Sequence, residues 1–146
     1  MSTSGSTCAP AVRLVLTASD HPDACFVFVI ANHVLEHVND DAKALCVILR
    51  VLRPGGQAIL QTPFAAARRS KTEDPTVRTP SERLRHYGQE DHCRLYGADF
   101  EAHVVSFGFV SHVASHETLL PNVDARISGV NAREPLLLFA KPGPRP

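Results

Sequence analysis

Two apolar runs separated by a helical pattern constrain this chain more than any other feature. FVFVIA, residues 26–31, shows no alternation of polar and apolar residues. A strand of that kind is normally covered on both faces, as in a parallel sheet between helices. QAILQT, residues 57–62, reads as a second strand, closed by Pro63. The segment between them predicts a helix. Asn39 is its expected N-cap, and Asp40 and Asp41 place negative charge in the first turn. Leu35, Val38, Ala42, Leu45, Leu49 and Leu52 step by three and four, giving one apolar stripe. Arg50 and Arg53 suit the negative end of the helix dipole, and Pro54-Gly55-Gly56 ends it. Strand, helix and strand in this order predict a parallel pair with a right-handed crossover.

The flanking segments extend the pattern. VRLVLT, residues 12–17, reads as a short strand, followed by a turn over Asp20, His21, Pro22 and Asp23. Residues 65–80 are polar and interrupted, and predict a loop. Thr79-Pro80-Ser81-Glu82 has the form of a capping box opening a short helix. Asp99 is placed to cap a helix running through Phe107, with Val104 and Phe107 inward and Gly108 as its left-handed terminator. FVSHVAS, 109–115, and PLLLFAK, 135–141, predict two more strands, joined by a long irregular link. The expected fold class is α/β: about five strands, mostly parallel, helices on both faces, the last strand antiparallel. One domain is expected over residues 11–142, with tails at 1–10 and 143–146.

Composition narrows the function. Lys+Arg number 15 and Asp+Glu 15, with an isoelectric point of about 7.1, so no basic footprint points to nucleic acid. No apolar run approaches the ~20 residues of a membrane helix. The opening MSTSGSTCAP lacks the basic start and apolar middle of a secretory signal. Cys8, Cys25, Cys46 and Cys93 form no Cys-x-x-Cys pair, so neither a disulfide framework nor a cysteine zinc site is expected, and the expected location is cytoplasmic. Cys25 and Cys46 lie in apolar segments and read as core residues.

HVLEHV, residues 33–38, raises a chemical question. It spells His-x-x-Glu-His, in which His33 and His37 on one helical face, with Glu36, would hold zinc and a water. That chemistry needs the motif inside a helix, and here it follows a strand and precedes the helix cap. The plainer reading makes both histidines satisfied polar residues at a strand–helix junction.

A longer stretch supplies a third reading. FVFVIANHVLEHVNDDAKALCVILRVLRPGGQAILQTP resembles the second half of the class I S-adenosylmethionine-dependent methyltransferases, specifically the type 11 methyltransferase domain. SERLRHYGQEDHCRLYGADF is similar to a segment of bacterial members, and GFVSHVAS and PLLLFAKP to the last two strands; the likeness covers about residues 11–142. The resemblance implies S-adenosylmethionine as cofactor and an acceptor of small-molecule type. It implies cofactor contacts at Thr17, Asn32, His33 and Val34, with His33, Glu36 and His37 as candidate bases and no metal. The polar concentration in HYGQEDHCRLY suggests an acceptor pocket built from His86, Tyr87, Gln89, Asp91, His92 and Arg94, where Arg94 suits a carboxylate or phosphate. The other reading of that segment is a solvated turn tied by an Asp91–Arg94 pair.

The chain departs from the family pattern in four places. It has no GxGxG turn between a strand and a helix and no acidic residue ending the next strand to hold the ribose hydroxyls, Val15 stands where the family has an acidic residue near adenine, and Phe26-Val27 replaces Phe-Asp. A non-catalytic remnant or interaction module is therefore the rival expectation, and a zinc hydrolase the third. Without the family's first strand, FVFVIA would have a bare edge. VRLVLT, a second copy or a partner chain is expected to cover it.

Overall fold

The computed structural model of the chain describes residues 19–129, 131 and 134–144. The strand expected at 12–17, with Val15 and Thr17, lies outside these residues, as does the tail at 1–10. Strand β1 (Phe26–Ile30) runs parallel to β2 (Leu52–Ile59), with Val29 opposite Ala58 and Ile30 opposite Ile59. Helix α1 (Asp41–Val51) makes the crossover.

The cap of α1 is Asp40 rather than Asn39: the Asp40 side chain accepts from the Lys43 N–H at 2.8 Å. Asn39 gives its carbonyl to a buried guanidinium instead. The helix buries Asp41, Ala44, Leu45, Ile48 and Val51, a stripe rotated from the one expected through Ala42 and Leu49. From Ala44 to Leu49 every side chain is apolar or cysteine, so spacing alone did not fix the phase; docking on the sheet did. Cys46 falls on the outer side and is exposed, against expectation, whereas Cys25 packs half-buried on the core.

Two short strands, β3 (Phe64–Ala65) and β4 (Tyr96–Gly97), pair in parallel beside the main sheet. Between them lies α2 (Pro80–Tyr87), opened by the expected capping box: Thr79 N–H donates to Glu82 Oε2 at 2.9 Å and Glu82 N–H to Thr79 Oγ1 at 3.3 Å. Helix α3 (Phe100–Ser106) follows Asp99, whose carboxylate accepts from the Lys71 N–H instead of capping the helix. Val104 is buried and Gly108 has φ +99°, both as expected. Strand β5 (Val110–Ser111), short helices α4 (His116–Leu119) and α5 (Ala125–Ser128), and strand β6 (Leu138–Ala140) complete the chain.

Among the described residues the main sheet has the order β1-β2-β6-β5, with β6 antiparallel to both neighbours and the others sharing one direction. Val29, Ala58 and Phe139 lie in register and share one buried cluster with Leu45, Ile48, Phe100 and Val104 of α1 and α3. Burial of this face is the main apolar driving force of the fold. The expectation that FVFVIA is covered on both faces does not hold for β1. Only Val29 of the strand is buried, while Val27, Phe28 and Ile30 are exposed. β1 is an edge strand among the described residues, so it has a neighbour on one side only.

The predicted loop at 65–80 is tied down more than its composition suggests. Thr72 bridges Leu95, and Lys71 pairs with Asp41 at 3.1 Å and Glu73 at 3.0 Å.

Candidate functional site

The ladder between β1 and β2 continues past the named strands. Ala31 N–H donates to the Ile59 carbonyl at 2.9 Å and His33 N–H to the Gln61 carbonyl at 2.8 Å. This carries Asn32 and His33 to the carboxyl rim of the sheet, where ligands of open α/β folds bind. His33 has φ +51°, a left-handed conformation that turns the chain off the strand. Asn32 and His33 are exposed and Val34 is half-buried. Residues 33–38 form turns rather than a helix, so His33 and His37 do not share the helical face of a zinc protease.

Two cavities adjoin this rim. One of about 230 Å³ is lined by His33, Gln61, Thr62, Phe64, Glu134 and Pro135. The other, of about 280 Å³, shares Gln61, Glu134 and Pro135 with it and reaches Leu119 and Leu120 at the end of α4. Ligand sites typically enclose ~300–1,000 Å³, so each cavity suits a small acceptor or one end of a larger cofactor. Of the rim pair, His33 lines the first cavity, and the exposed Asn32 precedes it in the chain without lining either. Gln61 to Phe64 and Glu134-Pro135 escaped the sequence reading. Pro63, at a strand end, was the only local signal for the first group, and the second lies in a link without pattern.

Glu36 and His37 sit just behind the rim. Glu36 is 1% exposed; Oε2 accepts from Thr62 Oγ1 at 2.9 Å, and Oε1 accepts no hydrogen bond. His33 Nδ1 approaches that oxygen to 3.3 Å and His37 Nε2 to 4.0 Å. The other ring nitrogen of His37, Nδ1, meets Asp91 Oδ2 at 3.2 Å. His92 is buried edge-to-face against His37, ring centroids 4.8 Å apart.

The six residues expected to form an acceptor pocket do not converge. None of them lines either cavity. His86, Gln89 and Asp91 are exposed, and the buried Tyr87 accepts a hydrogen bond from Asp74 N–H through its hydroxyl. Arg94 is 0% exposed. Its guanidinium donates to the carbonyls of Leu35, Val38 and Asn39 and to Glu73, leaving none of it for a substrate anion. The Asp91–Arg94 pair does not form either, because Asp91 turns to His37.

Arg94 belongs to a buried ionic knot with Asp41, Lys71, Glu73, His103 and Tyr96. Burial alone would raise the Asp41 carboxyl, but hydrogen bonds from His103 and Lys71 and the Arg94 charge outweigh it and hold it well below the carboxylate range. Burial, together with the neighbouring Asp41 charge, pushes the Tyr96 phenol far upward. Its hydroxyl thus stays a donor, to Asp41 Oδ2 at 3.0 Å.

The fold is α/β and Rossmann-like, with the rim at the carboxyl end of the parallel pair. Residues 5–60 match the family model described as "Methyltransferase domain". Solved structures agree on the fold. The YcgJ protein of Bacillus subtilis superposes with a TM-score of 0.51 at 14% identity, over 88% of this chain and 69% of that one. The [4+2]-cyclase SpnF gives 0.54 at 17%, over 90% and 56%. A Haemonchus contortus phosphoethanolamine N-methyltransferase, in complex with phosphomonomethylethanolamine and S-adenosylhomocysteine, gives 0.53 at 16%, over 90% and 36%. The likeness to these structures is one of fold, and the chain spans only part of each of them. No curated protein sequence matches it. Among the described residues, no helix is long and apolar enough to cross a membrane.

Proposed function

We propose that the chain acts in methyl transfer from S-adenosylmethionine to a small-molecule acceptor. The observation that carries this reading is the exposed Asn32-His33 pair at the carboxyl end of β1, beside the cavity walled by the end of β2. Asn32 would hold the methionine end of the cofactor through its amide. The cofactor, when bound, supplies the electrophilic methyl group. His33 is the base among the three candidates. It is exposed and reaches the cavity, whereas Glu36 is buried and His37 is engaged by Asp91. Its imidazole would take the acceptor's proton as the methyl group arrives. The bound complex of the Haemonchus enzyme supports the class of cofactor, not the acceptor.

The test is calorimetric titration of the full chain with S-adenosylmethionine, followed by transfer assays over a panel of small acceptors. Asn32→Ala should weaken cofactor binding about tenfold, the loss of one charge-assisted hydrogen bond. His33→Ala should slow transfer about 100-fold or more. Absence of heat at about 1 mM cofactor would leave the interaction module as the better reading.

A further inference from the structure

We propose that Glu36, His37 and His92 form a site for one divalent zinc ion, independent of the methyl-transfer reading. Each residue offers one ligand atom, and the three atoms lie within 4.8 Å of one another. Atoms sharing a tetrahedral zinc lie about 3.4 Å apart, from bond lengths near 2.0–2.2 Å.

The unsatisfied groups point the same way. Glu36 Oε1 and His92 Nδ1 are buried and make no hydrogen bond. Both residues are more than nine-tenths buried, and His37 Nε2 looks toward that same Glu36 oxygen at 4.0 Å. Glu36 Oε2 has Thr62 as its donor, while Oε1 meets only the imidazoles of His33 at 3.3 Å and His37 at 4.0 Å, so this buried carboxylate gains from a bound cation.

The surroundings resemble a supporting shell. A metal-bound imidazole usually directs its second nitrogen to a carboxylate, and His37 Nδ1 does so with Asp91 Oδ2 at 3.2 Å. Thr62 Oγ1 orients Glu36 through its other oxygen. The backbone also fixes the two segments, since Cys93 N–H donates to the Glu36 carbonyl at 2.7 Å. Two imidazoles and one carboxylate leave one tetrahedral position for water. The same ligand set serves non-haem iron, but iron chemistry needs several open positions, and burial of Glu36 and His92 leaves little room for them. The zinc-protease motif thus marked two of these ligands and the wrong third: His92 replaces His33.

The test uses the full chain stripped with a chelator and titrated with zinc chloride by calorimetry, with cobalt(II) absorption as a second readout. One equivalent should bind, and cobalt should give the intense visible bands of a tetrahedral site. Asp91→Asn, an exposed change that spares the fold, should weaken zinc about 10–100-fold. His92→Gln should abolish binding. No binding to the intact chain overturns the proposal, as does zinc affinity unchanged by Asp91→Asn.

Discussion

His33 concentrates two demands in one residue. Its backbone holds φ +51°, which disfavours any side chain by about 1–2 kcal/mol relative to glycine. Replacing it by glycine should leave thermal stability equal or higher by up to about 1 kcal/mol, while removing the proposed base. A melting curve beside a transfer assay separates the two effects, and a marked loss of stability would show the imidazole to be structural. Arg94 is the opposite kind of residue. Arg94→Met leaves Asp41 and Glu73 short of a partner and takes a donor from the carbonyls of Leu35, Val38 and Asn39, so it should lower stability by about 3–5 kcal/mol in urea titration. Asp41 sets the acid limit. Its folded-state carboxyl is depressed, so its contribution is complete above the unfolded value near ~3.9 and is lost as pH falls toward the folded one. Urea midpoints of the native protein should therefore drop below about pH 4, and Asp41→Asn should lower the midpoint at neutral pH and flatten that acid limb. An arginine in a polar sequence segment carries no mark of burial, which is why Arg94 reads there as a pocket residue although the fold buries it in the knot.

At the scale of elements, local chemistry was most readable where it is self-contained. The Thr79 capping box closes within four residues, and it appears as predicted. The reversed last strand and the rim position of Asn32-His33 also agree with the expected topology. Legibility failed where an element's role depends on a distant neighbour, as in the phase of α1 and the anchoring of residues 65–80. Gly97 shows the same dependence. A Cβ there would come within 2.7–2.8 Å of the Ser70 backbone, so β4 requires glycine for close approach rather than for a turn. Gly97→Ala should lower the melting free energy by about 1–3 kcal/mol, and a neutral result would mean that the β3–β4 pair yields easily.

For the whole molecule, the sheet is asymmetric. One face is buried against α1 and α3, while the exposed Val27, Phe28 and Ile30 mark an apolar edge at β1. Among the described residues β1 has a neighbour on one side only, and we propose that a second copy or a partner chain covers the other side, since an apolar edge strand is a template for pairing. Sedimentation of the intact chain should show self-association, and Val27→Lys, a charge on an exposed position, should shift it toward monomer without loss of melting temperature. A monomer at every concentration would remove the second-copy form of the proposal. The order and type of the elements, and the placement of a polar dipeptide at a strand's end, were determined by the sequence itself, because periodicity, caps and breakers act over a few residues. The joining of His37 to Asp91 across 54 positions, and of Arg94 to Leu35 across 59, was decided by the tertiary structure alone. Such pairs are selected by which surfaces pack and which polar groups that packing strands, and neither quantity exists until the chain has folded.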